Sequence, residues 1–392
     1  MREDWEYKKL GDISSSLLIE KAKKVFSPND VIRYIDISSI DNINQCLTGT
    51  TSFKMLDAPS RAQQKVEYGD ILISTVRPNL RNIAIVNDDA TNLVASSGFC
   101  VLRINDVALR RYIFYYVVSN KFTAYLEKLT NGANYPAVKE TDVRKALIPI
   151  PPKPTQLSIV TELDKLNELI RIKKEQLKDY ETLAQSIFYE MFGDLVENEK
   201  GWKVMSLGYI CEITSSKRVF ANEYVDMGVP FYRSKEVIEK SKQLSISVEL
   251  YISESHYDKI KSSFGVPQVG DILVTAVGTI GKIWVVDTNE PFYFKDGNLV
   301  WLRKIKGVHS EYFRYSLFYL IDEYKKVNAN GAAYNALTIA KLKLMLCPLP
   351  PLSLQQSFAH KIEQIERQKA AVQRTIKDLE TLLAARMQYW FD

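Results

Sequence analysis

The sequence predicts an α+β fold in which two similar domains are joined by two long helices that pair as an antiparallel coiled coil. Two observations predict this fold. Most of the 392-residue chain occurs twice, with an offset close to 199 residues, and each copy ends in a long heptad pattern of apolar residues. A repeat of this length corresponds to a whole domain and not to one turn of a solenoid. The chain therefore has a pseudo-two-fold internal repeat.

Short motifs mark the two copies and divide the chain. The matching pairs are 5–13 (WEYKKLGDI) and 202–210 (WKVMSLGYI), 69–72 and 270–273 (both GDIL), 131–135 (NGANY) and 330–334 (NGAAY), and 149–152 (PIPP) and 348–351 (PLPP). From these motifs we place a first domain at 1–153, a first helix at 154–195, a second domain at 196–352 and a second helix at 353–392.

Within each domain, strands come first and helices follow. Short β-branched or apolar runs bounded by Gly, Asn, Asp or Pro predict strands at 70–75, 83–86 and 99–102, and again at 272–275, 283–286 and 299–302. An aromatic-rich segment then predicts one helix at 109–129 or 310–327. The Asn-Gly-Ala loop and a short helix near 139–145 or 338–344 precede the proline-rich exit.

Apolar residues in both long helices alternate at spacings of three and four, which is the pattern of a coiled coil. The predicted contact positions are Leu163, Leu166, Ile170, Leu177, Tyr180, Ile187, Ile362, Ile365, Val372, Ile376, Leu379 and Leu383. The alternative is that each helix packs only on its own domain. Two matched stripes in one chain favour pairing, because each supplies the partner of the other.

Composition excludes several classes of protein. The chain has no run of eighteen apolar residues and no signal-peptide pattern at its start, so we expect a cytoplasmic protein without a membrane span. Its four cysteines and three histidines are scattered without metal-ligand spacing, so we expect no metal site. The net charge of +5 arises mainly in the two domains, which suits contact with nucleic acid but is weak evidence alone.

The order and duplication of these motifs resemble the specificity subunit of a type I restriction–modification enzyme. The matching features are W-x-x-x-x-L-G-x-I at the start of each repeat, G-D-I-L-[IV]-[ST], N-G-A-x-Y, the P-[IL]-P-P exit and the paired long helices. The resemblance covers essentially the whole chain. It implies two target recognition domains, each reading half of a bipartite DNA sequence, and a coiled coil that sets the gap and docks methyltransferase subunits.

The resemblance also implies the partners and cofactors. We expect double-stranded DNA, methyltransferase (modification) subunits, two per chain, and restriction/translocase subunits. S-adenosylmethionine, and ATP with Mg for restriction, are expected in those partner subunits and not in this chain.

Candidate DNA contacts follow a strand in each domain. Ser74, Thr75, Arg77, Asn79 and Arg81 combine groups that contact phosphates, guanine and adenine. The alternative is a solvated loop. The matching stretch in the second domain offers Thr275, Lys282 and two glycines, so we expect the two domains to read different half-sites.

Further candidates are less specific. Arg233 and Lys235 follow a predicted strand that is equivalent to the one before Tyr34, and they are predicted DNA contacts. Asn134, Tyr135, Tyr334 and Asn335 belong to the repeated exit loop, where a structural role is an equal alternative. The aromatic clusters at 112–116 and 312–319 are predicted to lie in the core.

The sequence contains no N-P-P-Y or D-P-P-Y methylation motif, no Walker A loop and no P-D…(D/E)-x-K nuclease pattern. We therefore assign no catalytic residue and predict a non-catalytic recognition subunit. One alternative is a DNA methyltransferase or nuclease with unrecognised catalytic motifs. Another is a coiled-coil interaction protein without a role on DNA.

Overall fold

Strands and helices form two parts of the chain, which we call the first body (residues 6–150) and the second body (residues 203–349). The computed structural model describes residues 5–14, 19–104, 106–130, 136–242, 244–327 and 336–391. The chain divides into a first unit, residues 1–175 with 373–392, and a second unit, residues 176–372. The boundaries of these units fall inside the two long helices. The four-segment division of the sequence follows the repeat instead, and it stays a prediction.

The first body contains eleven named strands and five short helices among its described residues. The strands are β1 (Glu6–Lys9), β2 (Val31–Ile35), β3 (Ile40–Asp41), β4 (Cys46–Leu47), β5 (Thr51–Lys54), β6 (Ala62–Lys65), β7 (Ile71–Ser74), β8 (Ile83–Ile85), β9 (Leu93–Ser96), β10 (Phe99–Leu102) and β11 (Leu147–Ile150). The helices are α1 (Leu10–Ile13), α2 (Ala22–Val25), α3 (Val107–Val117), α4 (Asn120–Glu127) and α5 (Glu140–Lys145). The strand orders are β10-β7-β8 and β5-β2-β9-β6, in which only β2 and β9 run parallel.

The second body also begins and ends with a strand, but two additional helices lie between its early strands. Its strands are β12 (Lys203–Ser206), β13 (Glu212–Thr214), β14 (Tyr224–Val225), β15 (Val229–Tyr232), β16 (Tyr251–Ile252), β17 (Ile272–Thr275), β18 (Ile283–Val285), β19 (Tyr293–Phe294), β20 (Leu299–Arg303) and β21 (Leu346–Leu349). Its helices are α7 (Leu207–Ile210), α8 (Ser234–Ser241), α9 (Glu254–Ser263), α10 (Ser310–Val327) and α11 (Ile339–Leu344). The strand orders are β13-β20-β17-β18 and β14-β16-β15-β19.

The predicted strands are confirmed as β7, β8 and β10 in the first body and as β17, β18 and β20 in the second. Each set places a strand of four buried residues, β7 or β17, in the middle. Apolar residues on both faces of a strand are expected where both faces are covered. The predicted short helices are likewise confirmed as α5 and α11.

A two-stranded ribbon joins the beginning and the end of each body. In the first body β1 pairs antiparallel with β11, so that Tyr7 lies opposite Pro149. In the second body β12 pairs with β21, and Val204 lies opposite Pro348. The opening Trp-containing motif and the proline-rich exit are therefore partners, which the sequence did not predict.

The single helix predicted at 109–129 is wrong, because the segment forms two helices, α3 and α4. Ser119 separates them with an extended backbone, and its hydroxyl accepts a hydrogen bond from the Phe122 N–H. A serine in this position caps the start of a new helix. The counterpart in the second body, α10, is continuous as predicted.

Most aromatic residues of these helices lie in the core, as predicted, whereas Phe318 is 45% exposed. Tyr112 and Tyr312 are fully buried, and each hydroxyl donates to a carbonyl of the proline-rich exit, Pro149 or Pro348. A buried tyrosine needs such a partner for its hydroxyl.

Two long helices complete the units: α6 (Lys153–Phe192) and α12 (Leu352–Phe391), each 40 residues long. In the first unit Glu162 of α6 contacts Arg386 of α12, and Lys174 contacts Glu380 at 2.9 Å. Numbers rise along one helix as they fall along the other, so the pair is antiparallel, which confirms the prediction. In the second unit the rings of Phe188 and Phe358 meet with centroids 5.4 Å apart.

The predicted coiled-coil positions are all at least partly buried. The buried ones are Leu163, Leu166, Ile170, Ile362, Ile365, Val372 and Ile376. The half-buried ones are Leu177, Tyr180, Ile187, Leu379 and Leu383. The helices also pack on the bodies, because Leu163 belongs to the core of the first body and Ile362 to that of the second. In the described part of the chain, no helix has the length and apolar character that crossing a membrane requires.

Candidate nucleic-acid interface

A tight loop connects the central strand of each body to its neighbour. We call residues 75–82 the first loop and residues 276–282 the second loop. The Ser74 N–H donates to the Asn82 carbonyl at 3.0 Å, and the Thr275 N–H donates to the Lys282 carbonyl at 3.0 Å. These matching hydrogen bonds align the ends of the two loops. The second loop is therefore one residue shorter than the first.

Two arginines of the first loop have a left-handed backbone. Arg77 has φ 49° and Arg81 has φ 51°, on either side of a 3-10 turn at Pro78–Leu80. The second loop has Gly278 (φ 74°) and Gly281 (φ 84°) at the corresponding positions. A side chain at a left-handed position costs ~1–2 kcal/mol, whereas glycine adopts it freely. The first loop thus has arginine at two left-handed positions where the second loop has glycine, which is not strained there.

Side chains from distant segments hold the first loop in place. The Asn42 side-chain amide donates to the Leu80 carbonyl at 2.9 Å, and Arg81 Nη2 donates to Asn120 Oδ1 at 2.6 Å. In this arrangement Arg77 and Asn79 are exposed, whereas Arg81 is half-buried. Asn42 and Asn120 were not predicted from the sequence. The serine before Asn120 was the signal for the second of them, because Ser-Asn at a helix start interrupts a helical segment.

The exit segment lies beside the first loop. The Arg77 N–H donates to the Pro136 carbonyl at 2.8 Å, and the Val138 N–H donates to the Thr75 carbonyl at 2.9 Å. The second unit repeats the contact, since the Leu337 N–H donates to the Ala276 carbonyl at 3.0 Å. Two motifs that are about 60 residues apart in the sequence therefore meet. The candidates Asn134, Tyr135, Tyr334 and Asn335 lie outside the described residues.

Hydroxyl groups predicted to contact DNA stabilise the loops. Ser74 is 2% exposed, and its Oγ donates to the Val76 carbonyl at 2.8 Å. Thr275 is fully buried, and its Oγ1 donates to the Thr279 carbonyl at 2.5 Å. DNA contact by Ser74 and Thr275 stays a prediction, and it requires both hydroxyls to leave these buried hydrogen bonds. Half-buried Thr75 similarly donates to the Gly98 carbonyl at 2.9 Å.

Lys282 and Gly281 end the second loop next to helix α10. Lys282 is half-buried, and its N–H donates to Thr275 Oγ1 at 2.9 Å. A Cβ atom added to Gly281 would lie 2.8 Å from Cγ2 of Ile321. In the first unit, Arg81 at this position reaches Asn120 on α4. Each loop therefore lies against a helix on the C-terminal side of its sheet, α4 in the first unit and α10 in the second, through a different residue.

Arg233 and Lys235 are engaged in ion pairs within the second body. Arg233 Nη2 donates to Glu236 Oε1 at 2.8 Å and to Glu249 Oε2 at 2.9 Å, and Lys235 Nζ contacts Glu249 Oε1 at 2.8 Å. Glu236 is 1% exposed, so Arg233 neutralises a buried carboxylate. The hydrogen bond to Glu236 is the main reason that the pKa of Arg233 is raised. DNA contact by these two residues stays a prediction, and it requires exchange of the Glu249 contacts.

The first loop has the chemistry of direct base readout. Arg77 and Asn79 are separated by a single proline on a short turn, and this turn is fixed by hydrogen bonds to three other segments. Guanidinium and amide groups form bidentate hydrogen bonds with guanine and adenine in the major groove. Among the described residues, no group of three or more His, Cys, Asp or Glu side chains is arranged to hold a metal ion.

Comparison with known proteins shows which proteins this chain is similar to. A relative in Haemophilus influenzae, provisionally named as a type I restriction enzyme specificity subunit, is 27% identical over 261 residues, which are 65% of this chain and 64% of the relative. The type I restriction enzyme HindI specificity subunit of the same organism is 27% identical over 194 residues, 49% of this chain and 41% of the relative. The chain therefore spans less than two thirds of the length of these two relatives.

A solved structure is similar over a longer range. One chain of a structure concerned with complex assembly and conformational transition of the type I R-M system has a TM-score of 0.62 and 27% identity, with 98% of this chain and 96% of that chain covered. The family model of the type I restriction modification DNA specificity domain matches residues 2–180 and 199–381, once for each copy of the repeat. With two matches that together cover most of its length, the chain belongs to the family of type I restriction modification DNA specificity domains.

Proposed function

We propose that the chain recognises a bipartite DNA sequence, one half through the loop of each unit, and that it catalyses no reaction itself. One observation carries the proposal. The two loops share their hydrogen bonds and their left-handed positions, but Arg77 and Arg81 in one correspond to Gly278 and Gly281 in the other. Loops that are closed by the same hydrogen bonds but differ in length and in side chains suit the recognition of two different sequences.

The strain at Arg77 supports a role of its side chain in recognition. Left-handed backbone at a residue other than glycine persists where the surrounding structure fixes it, and it is frequent at functional sites. The neighbouring unit shows that glycine is compatible with this turn. We therefore infer that the exposed Arg77 side chain is retained in this strained position because its guanidinium contacts DNA.

We infer that partner subunits supply the chemistry. The family membership and the absence of methylation, nucleotide-binding and nuclease motifs from the sequence support this inference. The partners we propose are two modification subunits per chain, because the repeat presents two equivalent surfaces, together with restriction/translocase subunits. S-adenosylmethionine belongs to the former, and ATP with Mg belongs to the latter. The helices α6 and α12 would dock these subunits and set the gap between the half-sites.

A methylation assay tests whether the partner subunits, and not this chain, carry out catalysis. The purified chain is incubated with DNA and S-adenosylmethionine, first alone and then with a modification subunit from the same host. We expect methyl transfer only in the second reaction. Methylation or cleavage by the chain alone would support the alternative, an enzyme with unrecognised catalytic motifs.

A binding assay tests the contact with DNA. The affinity for duplex DNA that contains the methylated sequence is measured at several salt concentrations, with a scrambled duplex as the control. Neutralisation of phosphates by Lys and Arg makes log K fall linearly with log[salt]. We expect this dependence on both duplexes and tighter binding to the first. Binding to neither duplex would leave a coiled-coil interaction protein as the better description.

A further inference from the structure

A polar cluster connects the two long helices in the first unit. Glu162 of α6 accepts hydrogen bonds from Arg386 Nη2 at 2.9 Å and from Trp390 Nε1 at 2.9 Å, both on α12. The Glu162 side chain is 32% exposed and that of Arg386 is 31% exposed. The hydrogen bond from Arg386 is the main reason that the pKa of Glu162 is lowered. Because about two thirds of each side chain is buried, this contact stabilises the pair of helices more than an exposed ion pair would.

The equivalent positions of the second unit carry different chemistry. The helices α6 and α12 have the same length and start 199 residues apart, so Glu162 corresponds to Lys361. Arg386 corresponds to Ile187, and Trp390 corresponds to Met191. Ile187 and Lys361 line a groove of about 520 Å³ between the helices of the second unit. The repeat is thus symmetric in backbone but not in these side chains.

This asymmetry matters because two such helices can pair in more than one way. The apolar stripes of α6 and α12 are equivalent, so α6 could also pair with α6 of a second copy of this chain, and α12 with α12. We propose that Glu162, Arg386 and Trp390 select α12 as the partner of α6 and exclude pairing of like helices from two chains. The inference concerns partner choice and does not depend on the proposed DNA recognition.

The geometry of the antiparallel pair gives the reason. In a pair of two α6 helices, Glu162 would lie opposite Ile187 and Met191, and neither residue can donate a hydrogen bond to a carboxylate. In a pair of two α12 helices, Lys361 would lie opposite Arg386, which places like charges together. Each mismatch would occur twice in a symmetric pair. Coiled coils select their partners through such interhelical charges.

Lys174 provides a matched control. It contacts Glu380 in the observed pair. In a pair of two α6 helices it would face Glu181, the residue equivalent to Glu380, so it finds a carboxylate in either arrangement. Loss of Lys174 therefore weakens a contact without changing the preference between partners.

The test uses two full-length copies of the chain with different affinity tags, produced in the same cells. The fraction of chains with the first tag that co-purify with the second tag is measured for each variant. Arg386→Ile removes the native contact and the repulsion from Lys361. Arg386→Glu goes further, because it also adds an attraction to Lys361 in a pair of two α12 helices. We expect the mixed fraction to rise for Arg386→Ile and to rise most, about ten-fold, for Arg386→Glu, which corresponds to ~1.4 kcal/mol.

Two further variants decide between selection and a general loosening of the helices. Arg386→Glu combined with Lys361→Glu restores like charges in the α12 pair while the native contact stays broken. The mixed fraction should therefore fall well below that of Arg386→Glu and stay above that of the wild type. Lys174→Ala should stay at the wild-type fraction. The proposal is overturned if both Arg386 variants stay at the wild-type fraction. It is also overturned if the double variant or Lys174→Ala mixes as much as Arg386→Glu.

Discussion

Arg77 and Gly278 are each the third residue of their loop and both have a left-handed backbone, but only Arg77 carries a side chain. With φ 49° the arginine keeps a conformation that glycine adopts without strain. The first loop is therefore less stable with arginine at position 77 than it would be with glycine there. This strain is the reason that we propose a role in DNA binding for the Arg77 side chain.

Arg77→Gly should weaken DNA binding without destabilising the protein. Release of ~1–2 kcal/mol of left-handed strain is offset by the ~0.5–1 kcal/mol that glycine loses in chain entropy. We expect the free energy of unfolding to stay level or to rise by up to ~1.5 kcal/mol in a urea titration. Affinity for the half-site read by the first unit should fall by ~1–3 kcal/mol if Arg77 makes a bidentate base contact.

Arg77→Ala and the second half-site serve as controls for this prediction. The alanine variant should lose the same affinity but keep the strain, so it should be no more stable than the wild type. Changes in the second half-site should be read equally well by all three proteins. Uniform weakening on every sequence would reassign Arg77 to a phosphate, and unchanged binding would make the loop merely solvated.

Gly281→Ala should destabilise the second unit. The new Cβ would lie 2.8 Å from Ile321 Cγ2, and the backbone has φ 84°. Crowding of this kind typically costs ~1–3 kcal/mol, in addition to ~1 kcal/mol or more of strain. Hydrogen exchange of the β17 and β18 amides should therefore speed up, with the β7 and β8 amides as an internal reference.

Gly278→Ala is the matched control for the variant at Gly281. It has a similar φ of 74°, but an added Cβ would have open space around it within 4 Å. We expect this variant to show the strain alone and to lose less stability. Equal losses in the two variants would mean that the contact with Ile321 does not matter.

At the scale of elements, one ion pair connects two neighbouring strands of the second body. Glu212 on β13 lies opposite Arg303 on β20, and Arg303 Nε donates to Glu212 Oε1 at 2.9 Å. The guanidinium also lies over the Trp301 ring, 4.6 Å from its centroid. Hydrogen bonds from Arg303, and then from Lys304, lower the pKa of Glu212 to about 2.

The stability that this pair contributes should disappear in acid. Because the folded pKa lies below the usual 4.5, the contribution is fully present above that value and is lost as the pH falls towards 2. Glu212→Gln should lower the urea midpoint of the second unit at pH 7, and the difference from the wild type should vanish near pH 2. The side chain is 39% exposed, so solvent screening keeps the effect small. Glu290→Gln, at an exposed position of the same unit, should show no such dependence if the pair is responsible.

The sequence predicts elements better than contacts between distant elements. The central strands and the long helices follow from local patterns, and α6 and α12 begin and end within three residues of the predicted bounds. The break at Ser119 was missed because the apolar spacing continues across it and only the capping geometry shows the interruption. Asn42 could not have been found, because its contact with Leu80 joins residues 38 positions apart. The burial of Ser74 and Thr275 likewise depends on how the loop folds back on itself.

On the scale of the whole molecule, the proposed gap-setting role of the helices predicts how target sequences change. One heptad inserted between Leu166 and Leu177, with a matched heptad between Ile365 and Ile376, preserves both apolar stripes. Each helix gains ~10.5 Å at ~1.5 Å per residue. At ~3.4 Å per base pair along each strand, the gap between half-sites should increase by at most ~3 base pairs. Both half-sites should keep their sequences, because neither loop is changed.

Mapping of methylated positions in a host that carries the modification subunit measures the new target. An insertion in α6 alone is the comparison, and it should lengthen the gap less because α12 limits the change. A constant gap combined with a new half-site would show that the helices do not act as a spacer.

The ribbons β1–β11 and β12–β21 have an evolutionary consequence. Since each ribbon brings together the two ends of a body, the chain enters and leaves that body at adjacent strands. Residues 10–146 or 207–345 thus form a segment that could be exchanged as a whole, because its two ends lie on neighbouring strands. Recombination between two genes at codons of these ribbons would transplant a complete body and leave the helices intact. The fold itself makes a new specificity available through two crossovers instead of many point substitutions, provided that the incoming body retains the core residues that pack on the long helices.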